Sequence, residues 1–128
     1  AVADFGGAQK PLVGRSRSWK AEHYQVFDLP DWDLNLPWTK HESEMGFDQA
    51  FALEVFEYLW NTIQALKNIR VCLKSGGKLY ISFILCYPVH EPAGTDFMRY
   101  TPDGAEMLLT KCGFKGVDPG LAFVDKTG

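Results

Sequence analysis

The fold is decided by three consecutive pieces of sequence: FDQAFAL (Phe47–Leu53), VFEYLWNTIQALKNIRVCL (Val55–Leu73) and KLYISFIL (Lys78–Leu85). The first and third pieces are nearly continuous apolar runs, which are typical of strands covered on both faces of a parallel sheet. The middle piece repeats apolar residues every three or four positions, which is the period of a helix. A strand, a helix and a second strand in this order predict a parallel β-α-β unit.

Local signals predict where the helices begin and end. Asn61 or Thr62 interrupts the long helical piece and caps a second helix within it. The glycines of Ser75–Gly77 are expected to stop that helix. A further helix begins at Thr101–Asp103, because threonine is a good N-cap, proline fits the first helical position and aspartate favours the positive end of the dipole. This helix is expected to end at Gly113.

The remaining segments extend the sheet and connect its strands. Ala1–Phe5 and Tyr24–Leu29 are short and rich in apolar or aromatic residues, and glycine or proline follows each, which predicts two further strands. Lys10–Glu22 is mixed in composition, so any helix there is weak. Asp31–Gly46 and Tyr87–Tyr100 carry prolines and polar residues typical of loops. Strands that alternate with helices predict an α/β fold, a mostly parallel sheet with helices on its faces.

The bulk composition limits the class of protein. The 128 residues suffice for a single domain, and 46% hydrophobic with 23% charged residues is typical of a soluble globular chain. A net charge of −3 disfavours nucleic-acid binding, which needs a basic face. Three widely spaced cysteines favour a reducing compartment, and no apolar run reaches the ~18 residues of a membrane span. We therefore expect a cytoplasmic protein with no nucleic-acid and no membrane partner.

Acidic and glycine residues follow the predicted strands. Asp4, Gly6 and Gly7 lie at the end of the first strand, and Asp28 comes about 20 residues after Gly6, the spacing at which an acid meets ribose hydroxyls. Glu54 follows the third strand. Each signal alone has a simpler explanation, since a glycine pair can be only a turn and an acid only a helix cap. Their order along the chain favours a nucleotide-like ligand beyond the carboxyl ends of the strands.

The middle of the chain resembles the class I S-adenosylmethionine-dependent methyltransferases of the type 11 kind. The likeness rests on Phe47–Asp48, on Ala52–Leu59 and on LKSGGKLYIS (Leu73–Ser82), which is similar to the family's "LKPGG" helix end before a strand. Leu36–Trp38 and Gly113–Phe114 add to it. The resemblance implies a Rossmann-like fold, trimmed because a helix and a strand are reduced or missing before the third strand. Since the chain opens directly on a predicted strand, we expect either that an upstream helix has been removed or that the sequence is a fragment.

The resemblance also implies a use for each strand end. Asp4, Gly6 and Gly7 would hold the methionine part of S-adenosylmethionine. Asp28, with Leu29 beside it, would hold the ribose. These five residues form the first half of the expected cofactor site.

Three more residues complete the site that the resemblance implies. Asp33 best matches the acid that meets the adenine amino group, and Leu53 and Glu54 would line the floor beside the sulfonium. The family's glycine loop is altered here, with Ala8 and Lys10 at its second and third glycine positions. Because the stretch between Asp28 and Phe47 is also short, we expect a shallow adenine pocket and weakened affinity.

The loop after the last strand contains the candidate catalytic residues. Its YPVHEP and DFMRYT stretches are similar to a pattern in methyltransferase-like proteins found among sugar and polysaccharide genes, which points to a small-molecule or glycan-type acceptor. His90 is the candidate base, because its reference pKa is close to neutral. Arg99 could hold an anionic acceptor with two hydrogen bonds. Alternatively, Asp96 and Arg99 form an ion pair that braces the loop; a metal trio of His90, Glu91 and Asp96 is not demanded by the spacing.

Two functions stay open for this sequence. The first is methyl transfer from S-adenosylmethionine to an oxygen or nitrogen atom of the acceptor. The second is a degenerate, non-catalytic domain of the same fold that acts as a binding or partner module. A nicotinamide-dependent oxidoreductase ranks below both, because the G-x-G-x-x-G loop is absent after the first strand. The exposed edges of a trimmed sheet allow a homodimer.

Overall fold

The computed structural model describes residues 1–6, 23–27, 29, 31–38, 46–86, 88–89 and 94–117. These residues form one parallel four-stranded sheet with two α-helices, which confirms the predicted α/β class and parallel sheet. The elements are β1 (Val2–Phe5), β2 (Tyr24–Phe27), β3 (Phe47–Ala52), α1 (Thr62–Cys72), β4 (Leu73–Ile81) and α2 (Pro102–Lys111). The weak helix predicted over Lys10–Glu22 lies outside the described residues.

The strand order in the sheet is β2-β1-β3-β4. The chain therefore moves from β1 to one side to form β2, and then crosses β1 to form β3 and β4 on the other side. Phe5 is level with Phe27 of β2, and Asp4 is level with Phe51 of β3. The strand order reverses between β1 and β3, and their carboxyl ends meet at the same edge of the sheet.

Side-chain caps fix the starts of both helices as the sequence predicts. The Asn61 side chain accepts a hydrogen bond from the Gln64 amide and begins α1, and a 3₁₀ turn over Phe56–Tyr58 precedes it. The Thr101 hydroxyl accepts one from the Gly104 amide at 3.0 Å and begins α2. Each cap satisfies a helical N–H group that would otherwise lack a partner.

The predicted role of the Ser75–Gly77 glycines is wrong. Helix α1 ends at Cys72, and Leu73 is already extended, so β4 begins there and not at Lys78. The glycines lie inside β4, where the register against β3 shifts between the pairs Phe47–Leu73 and Gln49–Lys78. A Cβ at Gly77 would lie 3.1 Å from the Phe47 carbonyl oxygen, so glycine lets the two backbones approach at this bulge.

The hydrophobic core joins buried residues of β1, β2 and β3 to buried residues of the two helices. Small residues on β3, Ala50 and Ala52, leave room for the fully buried α1 side chains Leu66 and Ile69. Burial of each of those two side chains stabilises the fold by about 1.5–3 kcal/mol. Leu109 of α2 joins the same cluster. The packing places the turn between β3 and α1 directly above the edge where β1 and β3 end.

Candidate functional site

The carboxyl ends of the strands form the candidate site. We use the name carboxyl edge for Gly6, Leu29, Leu53–Val55 and Ser82, which directly follow or lie just beyond the ends of β1, β2, β3 and β4. In open parallel sheets, ligands bind beyond this edge, at the point where the strand order reverses. That point is occupied here by Gly6 and Leu53–Val55.

Gly6 brings the end of β1 against the segment that follows β3. Its amide donates a hydrogen bond to the Phe27 carbonyl at 2.8 Å, and its φ is +74°. A Cβ at this position would overlap the Val55 side chain. Glycine is thus required both for the backbone conformation and for the close contact. Gly7, Ala8 and Lys10, the rest of the expected glycine loop, lie outside the described residues.

Glu54 carries the one non-glycine positive φ among the described residues, +57°. Its amide donates a hydrogen bond to the Ser82 hydroxyl at 2.6 Å, while the Ser82 amide donates one to the Ala52 carbonyl at 3.1 Å. Glu54 is exposed and Leu53 is half-buried. The left-handed conformation costs a non-glycine residue about 1–2 kcal/mol, and such residues cluster at ligand-binding sites.

Asp4 lies within β1, one residue before its end, and is completely buried. Its carboxylate accepts a hydrogen bond from the Tyr24 hydroxyl of the neighbouring strand β2. A buried carboxylate needs such a donor to offset its lost hydration. The structure therefore places Asp4 in the sheet, facing Tyr24, beneath the carboxyl edge.

Asp33 closes a tight turn in the loop after β2. Its Oδ1 accepts a hydrogen bond from the Asn35 amide at 2.9 Å, and its carbonyl accepts one from the Trp38 indole at 2.8 Å. The Trp38 ring in turn stacks on Phe5 and Phe27, with ring centroids 5.9 and 5.5 Å apart. This loop thus covers the ends of β1 and β2.

Of the two residues expected to hold the ribose, Asp28 and Leu29, the structure describes only Leu29. Leu29 follows β2 and is 64% exposed, which leaves its side chain accessible at the carboxyl edge. Asp28, the expected ribose-binding acid, lies outside the described residues.

Two buried asparagines that the sequence analysis did not single out hold residues 31–38 against the helix layer. The Asn35 Oδ1 accepts hydrogen bonds from the Trp60 and Asn61 amides at 2.9 and 3.0 Å. The Asn68 Nδ2 donates to the Leu34 and Leu36 carbonyls at 3.1 and 2.9 Å. The one signal in the sequence is Asn68 itself, a polar residue on the apolar stripe of α1 between Leu66 and Ile69.

Arg99 is engaged by Asp96. Two hydrogen bonds join them, Nη1 to Oδ1 at 2.5 Å and Nη2 to Oδ2 at 2.8 Å, and the Asp96 side chain is only 1% exposed. Nη2 also donates to the Pro88 carbonyl at 3.3 Å. The hydrogen bonds that the guanidinium donates to Asp96 raise the pKa of Arg99 above its usual value. The ion pair considered for this loop is therefore present and ties Pro88 to Arg99; His90 lies outside the described residues.

The same loop is attached to the 3₁₀ turn that follows β3. The Glu57 carbonyl accepts hydrogen bonds from the Phe97 and Met98 amides at 2.7 and 3.0 Å. The Tyr100 hydroxyl donates to the Phe56 carbonyl at 3.2 Å. Burial, followed by the negative charge of Glu57, raises the pKa of Tyr100 to about 12. The loop after β4 is thus fixed next to the segment that carries Glu54.

The described residues contain neither a cluster of metal-ligating side chains nor a membrane-spanning helix. No three histidine, cysteine or acidic side chains come together there as a metal site; of the trio considered, His90 and Glu91 lie outside these residues. None of the helices found there has both the length and the apolar character needed to cross a bilayer.

The described part of the chain brings Gly6, Glu54 and Ser82 to one edge of the sheet, whereas Asp33 closes a turn, Asp4 lies beneath the edge and Arg99 lies in an ion pair. Function resides in such sites more than in the fold that carries them. No protein-family model matches this chain, and no curated protein matches it.

Proposed function

We propose that this chain binds S-adenosylmethionine along the carboxyl edge and transfers its methyl group to an oxygen or nitrogen atom of a small-molecule or sugar-type acceptor. The observation that carries the proposal is the strained Glu54 backbone at the point where the strand order reverses. Backbone strain of this kind persists at ligand-binding sites, and this point is the binding position of open parallel sheets. The resemblance of Phe47–Ser82 to class I methyltransferases supplies the cofactor class.

The strand order supports a trimmed Rossmann-like fold. The order β2-β1-β3-β4 has one strand beyond β1 on one side and two on the other. The link from β2 to β3 contains the asparagine-held segment 31–38, where the family has a further helix and strand. A sheet shortened at this side fits the resemblance and leaves the β1–β3 edge intact.

The residues at the edge fit parts of the cofactor to different degrees. The Glu54 carboxylate suits a positively charged sulfonium. The second carboxylate oxygen of Asp33 can accept a hydrogen bond from an adenine amino group, because only Oδ1 bonds to Asn35 in the turn. The contact with Val55 already explains why residue 6 is glycine. In binding, Gly6 would contribute only its backbone at the turn after β1.

The acceptor side of the proposed reaction depends on positioning. The bound cofactor supplies an electrophilic methyl group, and the acceptor atom has to lie in line with it at about 3 Å. His90 is the proposed base that takes the proton from a hydroxyl acceptor. Arg99 bonds to Asp96 and to the Pro88 carbonyl, and the Phe97 and Met98 amides attach this described part of the loop to the Glu57 carbonyl.

Calorimetric titration with S-adenosylhomocysteine, with NAD as the control ligand, tests the cofactor class. We expect saturable binding of the first and none of the second. Asp28→Ala should weaken binding by roughly 1–3 kcal/mol, as expected when charge-assisted hydrogen bonds to a ribose are lost. Glu106→Gln on the exposed face of α2 serves as the matched control and should leave the affinity unchanged. Absence of binding at millimolar ligand contradicts the proposal.

A non-catalytic partner module is the second candidate. It is favoured by Asp4 and Arg99, whose charged groups bond to Tyr24 and Asp96 within the protein. Three large apolar side chains, from the loop after β2 to the first turn of α1, are also more than half exposed: Leu36, Trp60 and Ile63. Exposed apolar patches of this kind mark interaction surfaces. Under this function the titration gives weak binding or none, and His90→Ala changes nothing.

A further inference from the structure

The conformation of Glu54 requires support from outside its own segment. A side chain at φ +57° brings its Cβ close to backbone oxygen, and nothing about glutamate favours this conformation as it would for glycine or asparagine. Such a residue persists only where the surrounding contacts determine it. On the Val55 side, the contact with Gly6 holds the chain; on the side of β4, the contact is Ser82.

Ser82 connects the ends of β3 and β4 through two different groups. Ala52 and Ile81 form the last register pair of the two strands, so Ser82 is the first residue beyond it. Its amide donates a hydrogen bond to the Ala52 carbonyl, which continues the pairing of β3 with β4. Its hydroxyl accepts a hydrogen bond from the Glu54 amide at 2.6 Å. An N–H group directed at this hydroxyl fixes the peptide plane before Glu54, and with it the φ of that residue.

The left-handed turn decides which side chains face the protein and which face the ligand edge. Val55 turns back to the core and is 8% exposed, whereas Glu54 is exposed. The negative charge of Glu54 contributes to raising the pKa of Tyr58, after burial and the charges of Glu57 and Asp96. The exposed Glu54 residue precedes the 3₁₀ turn over Phe56–Tyr58, to which the loop after β4 is attached.

We propose that Ser82 is a positioning residue: its hydroxyl holds Glu54 in the left-handed conformation and so directs the Glu54 carboxylate toward a positively charged ligand group. This inference rests on the proposed function and adds the element that sets charge selectivity. The ligand group it fits is a sulfonium, which S-adenosylmethionine carries and S-adenosylhomocysteine lacks.

The selectivity between the two ligands provides the test. We expect the wild-type chain to bind S-adenosylmethionine more tightly than S-adenosylhomocysteine in calorimetric titrations. Ser82→Ala and Glu54→Gln should each reduce this preference, by up to about tenfold when one charge contact is lost. Ser82→Thr retains a hydroxyl and should retain the preference. In the double variant Ser82→Ala/Glu54→Gln, the preference should fall no further than in Glu54→Gln alone.

A purely structural role for Ser82 gives a different result. Ser82→Ala would then lower the melting temperature but leave the ratio of the two affinities at its wild-type value, which overturns the inference. The inference would also be overturned if Ser82→Ala reduced the preference as much in the Glu54→Gln background as in the wild type. Ser82 would then not act through Glu54.

A stability measurement separates failure of this inference from failure of the proposed function. If the wild-type chain binds neither ligand, the proposed function and the ligand-directing role of Ser82 both fail. The hydrogen-bond support is then still decided by thermal unfolding: Ser82→Ala should lower the melting temperature by a few degrees in the wild type. Ser82→Ala should lower the melting temperature less in a Glu54→Gly background, because glycine adopts positive φ without support. Equal losses in both backgrounds overturn the supporting role.

Discussion

At the residue scale, a substitution of Gly6 tests the contact between the end of β1 and Val55 in the segment after β3. Gly6→Ala should lower the free energy of unfolding by about 2–4 kcal/mol, since it adds both a left-handed non-glycine residue and an overlap with Val55. Urea denaturation measures the change. Gly94→Ala is the matched control, because Gly94 has φ +83° but an added Cβ meets no atom within 4 Å. Equal losses for the two variants would contradict the proposed overlap.

Tyr100 links residue chemistry to pH dependence. Its pKa is raised to about 12 by burial and by Glu57, so the folded state favours the neutral phenol. The stabilisation is complete below the unfolded pKa near 10 and is lost as the pH rises toward 12. Tyr100→Phe keeps the ring contact with Phe83 but loses the hydrogen bond to Phe56, at a cost of about 1 kcal/mol near neutral pH.

Urea denaturation at a series of pH values measures this effect. The stability difference between the wild type and Tyr100→Phe should shrink above about pH 10, because only the wild type has this phenol to ionise. A difference that stays constant up to about pH 11 would show that burial of Tyr100 does not oppose its ionisation.

At the scale of elements, α1 is held in the fold both by its apolar stripe and by one polar residue, Asn68. Asn68→Ala should lower the free energy of unfolding by about 2–3 kcal/mol, because it leaves the buried Leu34 carbonyl and the partly buried Leu36 carbonyl without their donor. Trp38 fluorescence should change with it, since the Trp38 amide also bonds to Asn68. Lys67→Ala, exposed on the same helix, should change stability by less than about 0.5 kcal/mol. A loss no larger than that of Lys67→Ala would contradict this role of Asn68.

Element types were predictable because they depend on local patterns. The caps at Asn61 and Thr101 follow from side-chain oxygens that reach the next turn, so their positions could be read from neighbouring residues. The Ser75–Gly77 glycines were placed wrongly for a physical reason. Glycine serves a helix end and a strand bulge equally well, and the choice depends on β3, which contacts Gly77 through the Phe47 carbonyl.

At the scale of the whole molecule, the sheet order predicts how the fold opens. β1 and β3 each pair with strands on both sides, whereas α2 buries only Ala105 and Leu109. Native-state amide exchange should therefore find the β1 and β3 amides exchanging only with global unfolding, and the α2 amides exchanging faster through local opening. Protection of α2 equal to that of β1 would mean that the helix and the sheet unfold as one unit.

The arrangement of the candidate site was only partly predictable. The sequence placed Gly6 and Glu54 after strands, and the parallel sheet brings those strand ends together as expected. It did not predict the Ser82 contact or the φ of Glu54, because both arise from pairing between strands that are distant along the chain. Nor did it predict the partner of Asp4, the Tyr24 hydroxyl on the neighbouring strand, which lies 20 positions away along the chain.

The asparagine contacts to residues 31–38 bear on how this chain can diversify. Asn68 bonds to the carbonyls of Leu34 and Leu36, and carbonyls are groups that every amino acid carries. The hydrogen bond that holds the backbone at Leu36 therefore does not depend on the Leu36 side chain, which is 51% exposed. If the carboxyl edge binds a ligand as proposed, mutations at position 36 can alter what the neighbouring surface recognises while the backbone keeps its place, so new specificities can arise in this segment at little cost to folding.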